Sequence, residues 1–168
     1  MIPENFSSSS LKELLEKMID YRGQSVPKAD CGIPLITARN VKFGFLDFTD
    51  QEFVDEDEFQ SWMSRGIPKS GDIIFTTEAP LGNVSMYPSK GIYAIGQRII
   101  TLRVKPDILN PVYLKNFLLS VVGQERIRIR SSGSTATGIR SSELKKVLID
   151  FPPLWLSRLF GDKCCLFE

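Results

Sequence analysis

Short apolar runs closed off by turn residues place the tightest limit on what this chain can fold into. Ile33 to Ala38, Ile73 to Thr76 behind Gly71-Asp72, and Ile99 to Val104 have strand lengths and are apolar enough to be buried. Isolated helical patterns stand among them without regular alternation, which predicts an α+β fold with an irregular sheet. The 168 residues suffice for one domain with one core.

Helices are predicted where caps and apolar spacing coincide. Ser10-Leu11-Lys12-Glu13 reads as a capping box, and Leu11, Leu14, Leu15, Met18 and Ile19 follow at helical spacing after a polar lead-in. Phe43, Phe45 and Phe48 around Gly44 read as an extended hairpin partner of the Ile33 strand. Asp55 and Glu58 open a helix carrying Phe59, Trp62 and Met63. Val84, Met86 and Tyr87 read as the strand returning from the Ala79–Asn83 turn. Asn110-Pro111 starts a helix with Leu114, Phe117, Leu118 and Val121 on its stripe. That helix is expected to run on through Gly123-Gln124-Glu125 into Arg126, Arg128 and Arg130.

The chain has no histidine, which removes Ser-His-Asp and Cys-His catalysis, imidazole acid–base chemistry and His-ligated metal sites. Its cysteines, Cys31, Cys164 and Cys165, supply neither a C-x-x-C pair nor a disulfide framework. The start Met1-Ile2-Pro3-Glu4 has no signal-peptide pattern, and no apolar run reaches membrane-helix length, so the expected location is the cytoplasm, away from any membrane. No cofactor and no metal is expected. Seven acids between positions 47 and 58 read as a solvated face and a helix start.

The net charge is only +1, but it is unevenly spread. From Arg98 to Lys146 ten bases stand against three acids, a pattern suited to a polyanion on one face. At its centre Arg126, Arg128 and Arg130 run into a loop of hydroxyls and glycines, Ser131 to Gly138, ahead of Arg140. Guanidinium forks, small side chains and accessible backbone N–H groups are the donors phosphates need. The loop lacks the Gly-Lys-Ser/Thr ending of a Walker A motif.

Two catalytic look-alikes are weak. Pro106-Asp107 with Glu143-Leu144-Lys145 resembles the Pro-Asp and Glu-x-Lys signature of a large Mg²⁺ nuclease superfamily, a short and common pattern that needs its halves on neighbouring strands. Phe151-Pro152-Pro153-Leu154 resembles the adenine-methyltransferase motif but lacks the acid or amide before the prolines and the aromatic after them.

An ordered set of segments carries a stronger resemblance: Asp20-Tyr21-Arg22-Gly23-Gln24-Ser25-Val26-Pro27-Lys28, Pro34-Leu35-Ile36-Thr37-Ala38-Arg39-Asn40-Val41, Gly71-Asp72-Ile73-Ile74-Phe75, Ser132-Gly133-Ser134-Thr135 to Ile139, and Phe151-Pro152-Pro153-Leu154. Together they resemble a target recognition domain from the specificity subunit (HsdS) of a type I restriction-modification system. The resemblance implies a non-catalytic reader of double-stranded DNA, built as a single mixed α/β domain with a curved, largely antiparallel sheet and flanking helices. It also implies methyltransferase (modification) and restriction subunits as partners. The expected boundaries are a flexible N-terminal segment at 1–10, the recognition domain at 11–154, and an atypical tail at 155–168 where the family continues into a spacer helix. That tail reads as a truncation or a shifted frame, and its apolar residues as a cause of self-association.

Arg126, Arg128 and Arg130 are expected to grip phosphates, and Arg39, Asn40, Gln97 and Arg98 to meet base edges from strand ends. Arg22, Ser132, Ser134, Thr135 and Arg140 complete the expected DNA-binding set. The rival readings are a nuclease using Asp107, Glu143 and Lys145, and an interaction module that no longer binds DNA usefully.

Overall fold

The computed structural model describes residues 5–23, 25–133 and 137–164. The chain begins with strand β1 (Ser7–Ser10), makes one helical turn, α1 (Leu11–Leu14), and passes directly into β2 (Leu15–Asp20). Next come β3 (Lys28–Ala29), β4 (Ile33–Ile36), β5 (Glu52–Val54) and α2 (Glu56–Trp62). β6 (Ile73–Thr76), β7 (Val84–Met86), β8 (Ala94–Ile95) and β9 (Ile99–Val104) follow. Helices α3 (Pro111–Leu119), α4 (Val121–Ile129) and α5 (Ser141–Leu144) precede β10 (Leu148–Phe151) and α6 (Leu154–Cys164).

A central antiparallel sheet in the order β2-β9-β6-β7 divides the molecule. Side chains alternate across a strand, and here both faces are covered. Ile100, Leu102 and Val104 of β9 join Ile73 and Phe75 of β6 under Leu114, Leu118 and Ile127 of α3 and α4. Ile99, Ile74 and Ile19 point the other way, against Leu35, Ile36 and Val54 of a second sheet and against Phe59 and Trp62 of α2. Each such side chain contributes roughly 1.5–3 kcal/mol by leaving water. The second sheet, β3-β5-β4-β8, is antiparallel except for the parallel β4–β8 pair, and β1 pairs with β10 in a two-stranded ribbon. The fold is thus mixed α/β and largely antiparallel, with its strands shared among three sheets.

Several local expectations are corrected. The helix starting at Ser10 ends at Leu14, because the following residues pair with β9: Met18 then faces one core and Ile19 the other. Ser7–Ser10, expected as a flexible lead-in, is a strand held by Leu148–Phe151. The antiparallel partner of β4 is β5; Phe43 and Phe45 lie in a loop closed by the Val41–Leu46 bridge, with their rings exposed. The helix from Asn110 is interrupted at Ser120, whose extended backbone ends α3 while its hydroxyl accepts from Gly123 N at 3.1 Å to cap α4. Only glycine fits at 123, since a Cβ there would lie 2.0 Å from the Phe117 carbonyl oxygen. The tail beyond Leu154 is helical through Cys164 and packs on α3, with Ser157 buried and its hydroxyl donating to Leu154 O at 2.9 Å. No helix among the described residues is long and apolar enough to cross a membrane.

Candidate nucleic-acid interface

Loops at one edge of the two sheets converge on a cleft of about 420 Å³ lined by Lys28, Thr37, Arg39, Glu52, Gln97 and Arg98, among others. The turn after β4 supplies Arg39, and Asn40 builds that turn. Its buried side chain accepts from Thr37 N (2.9 Å) and Thr37 Oγ1 (2.7 Å) and donates to Asp47 O (2.9 Å) and Asp50 O (3.0 Å). All four bonds are internal, so Asn40 holds the loop that presents its neighbour. Opposite, Gly96 donates to Ile36 O at 2.8 Å. A Cβ at 96 would lie 3.2 Å from that oxygen, so glycine brings Gln97 and Arg98 close to the Arg39 turn. A smaller space of about 270 Å³ on the far side of Arg39 is lined by Asn40, Lys42, Asp47, Pro80 and Asn83, among others.

The hydroxyl-rich loop joins the same edge. Ser132 and Gly138 exchange backbone bonds of 2.9 and 3.0 Å, Gly138 bridges to Glu78, and Ile139 N donates to Thr77 O at 2.9 Å. Thr77 N in turn donates to Arg98 O at 2.9 Å. Arg22 grips Asp20 through Nε (2.9 Å) and Nη2 (2.6 Å) and reaches Ile139 O at 3.3 Å, tying the end of β2 to this loop. Burial raises the Asp20 carboxyl, but the Arg22 bonds outweigh it and hold it below the usual range. Ser134 and Thr135 lie outside the described residues.

The arginine run is employed differently. Arg126 donates to Leu148 O (2.7 Å) and Asp150 Oδ2 (2.6 Å) and lies over the Phe117 ring at 5.6 Å, so its guanidinium clamps α4 to β10. Arg128 is exposed and pairs with Glu125 at 2.6 Å, and Arg130 meets Glu143 at 3.4 Å. Arg130, Ser132 and Arg140 line a space of about 440 Å³ with Ile129 and Glu143. The exposed Arg140 forms no ion pair among the described residues and precedes α5.

The nuclease look-alike residues do not form its arrangement. Asp107 lies in the turn after β9, and Glu143 lies in α5, where Lys146 (2.6 Å) and Arg130 (3.4 Å) engage its carboxylate. Among the described residues no group of three or more acids and cysteines is placed to hold a metal. Of the acids paired with the cleft arginines, Glu52 is one of the seven read as a solvated face and a helix start, and Glu78 stands outside the basic region that signals binding in the sequence.

A family model for the type I restriction modification DNA specificity domain matches residues 3–155. The chain belongs to that family. No curated protein matches it significantly. Among solved structures, the S subunit of a type I restriction-modification system from M. genitalium shares 17% identity at a TM-score of 0.66, over 97% of this chain and 39% of that one. The HsdS subunit from Thermoanaerobacter tengcongensis shares 17% at 0.63, over 99% and 38%. A chain from work on complex assembly and conformational transition of the type I R-M system shares 17% at 0.68, over 100% and 43%. The specificity domain described here therefore spans about two fifths of the length of these structures and shares their fold.

Proposed function

We propose that this specificity domain reads a short stretch of double-stranded DNA through the Arg39–Gln97–Arg98 cleft and does no chemistry of its own. The observation that carries the reading is the convergence of these side chains, 58 to 59 positions apart in sequence for Gln97 and Arg98 relative to Arg39, on one open cleft. Arginine forks and a glutamine amide match the acceptor and donor patterns of guanine and adenine in the major groove. Arg140, exposed beside the hydroxyl loop, supplies sequence-independent grip on phosphates, with Ser132, Ser134 and Thr135 offering further donors, while the Glu125 carboxylate occupies Arg128. Arg22 and Asn40 act indirectly by fixing the loops, and Arg126 and Arg130 mainly hold the fold together.

In this reading the methylating and cleaving chemistry belongs to partner subunits, which the domain directs to a site in the cytoplasm. The test is selection from a pool of random duplexes with this chain as bait. Enrichment of a short motif, with binding that weakens as salt rises, is expected. Recovery of unselected sequences, or Mg²⁺-dependent cleavage abolished by Glu143→Gln, would overturn the reading.

A further inference from the structure

Arg39 and Arg98 are highly exposed, at 67% and 58% of their side-chain surface, yet each is held by a carboxylate. Arg39 Nη2 bonds Glu52 Oε1, and Lys28 Nζ lies 2.7 Å from the other Glu52 oxygen. The Lys28 bond, working against partial burial and joined by the charges of Lys28 and Arg39, holds the Glu52 carboxyl below its usual range. Arg98 meets Glu78 Oε1 through Nε at 3.3 Å. Both acids stand on fixed backbone, Glu52 paired with Leu35 across β4 and β5, and Glu78 in the bridge to Gly138.

A carboxylate beside an arginine is a poor arrangement for gripping phosphate, because it cancels part of the attraction and adds repulsion. It suits a base edge. Guanine O6 and N7 are neutral acceptors that reward a fork fixed in direction. Arg98 faces Glu78 through an ion pair at Nε, which leaves both of its terminal nitrogens to donate, and Arg39 keeps Nη1 and a second hydrogen on Nη2.

Building on the DNA-reading function above, we infer that Glu52 and Glu78 are positioning residues that hold Arg39 and Arg98 as two separate guanine-reading forks. The domain then reads two guanines, one set by the Arg39–Glu52 pair and the other by Arg98–Glu78. Each acid contributes direction, and its charge weakens binding to unrelated DNA.

The experiment uses the duplex selected by the wild-type chain, single-base replacements of each of its guanines, and a scrambled duplex. Glu52→Gln and Glu78→Gln should each lose about tenfold discrimination at one guanine, a different one for each variant. Both should bind the scrambled duplex more tightly, since a negative charge is gone. Arg39→Lys and Arg98→Lys keep the charge but lose the planar fork, so each must lose the same guanine as its partner acid, which also serves as the readout if a glutamine variant fails to fold. Tighter binding to every duplex with unchanged preference would show that the acids act only through their charge and would overturn the inference. A selected motif without guanine would also overturn it while leaving DNA reading intact. Failure to enrich any duplex would defeat the underlying function itself.

Discussion

Arg126 of α4 and the arginines of the cleft are alike in sequence and opposite in environment. Arg126 keeps 27% of its side-chain surface and is bonded to β10, while Arg39 and Arg98 keep more than half of theirs beside acids at the molecular edge. A dense basic run marks where charge is available, but the partners across the fold decide whether that charge faces outward. Arg126 finds Asp150 on β10, 24 positions away, a pairing that local composition does not announce.

Arg126→Ala should have the largest effect on the fold. It removes two hydrogen bonds and a ring contact and leaves Asp150 without its cation, so a loss of about 2–3 kcal/mol is expected, or roughly 5–10 °C in melting temperature. Affinity for DNA measured well below that melting point should change little. A variant that melts normally but binds DNA poorly would move Arg126 to the interface.

Replacing Arg39 or Arg98 with alanine should do the reverse. Each should cost about 1–3 kcal/mol of discrimination at one base pair, with stability changed by no more than about 0.5 kcal/mol, as read by competition binding and thermal melts. Arg140→Ala should weaken selected and scrambled duplexes alike and make the log-log salt slope shallower by ~1. An unchanged slope would remove it from the phosphate contacts. The exposed Arg128–Glu125 pair should contribute little to stability, since such pairs are typically worth about 0–1 kcal/mol.

Acid provides the smallest of these tests. Burial raises the Asp150 carboxyl, but the Arg126 and Ser8 hydrogen bonds outweigh it, and the folded-state value lies below the ordinary one. Its stabilising contribution is therefore complete above the unfolded value of about 3.9 and is lost as pH falls through the lowered folded value. The gap in melting temperature between the wild type and Arg126→Ala should accordingly narrow below about pH 4. A constant gap from pH 7 to pH 3 would mean that the ring contact and the bond to Leu148 carry the whole effect.

What could be read in the sequence follows the same division between local and distant causes. Asn110 caps α3 by accepting from Val112 N at 2.8 Å, and β6, β7 and β9 fall where turn residues bracket apolar runs, because each signal sits within a few residues. The β2 segment misled because it serves both cores, Leu15 and Met18 in one and Ile19 in the other, and its register shifts between Leu15 and Lys17, which blurs the two-residue period into a helix-like spacing. In the interface, residue types chosen for their forks fell together in the cleft at Arg39, Gln97 and Arg98. Asn40 belongs to the same turn, but its amide is consumed in building it. Glu52 and Glu78 became visible only when the loops were placed side by side.

In the proposed reading selectivity resides in the cleft, whereas Arg126 serves the fold. The most direct test is the ratio of affinities for the selected and a scrambled duplex, measured for the wild type, Arg126→Ala, and the double variant Arg39→Ala/Arg98→Ala at a temperature where all are folded. Arg126→Ala should keep the wild-type ratio while the double variant's ratio falls by about a hundredfold. A ratio that collapses in Arg126→Ala and survives in the double variant would contradict this reading.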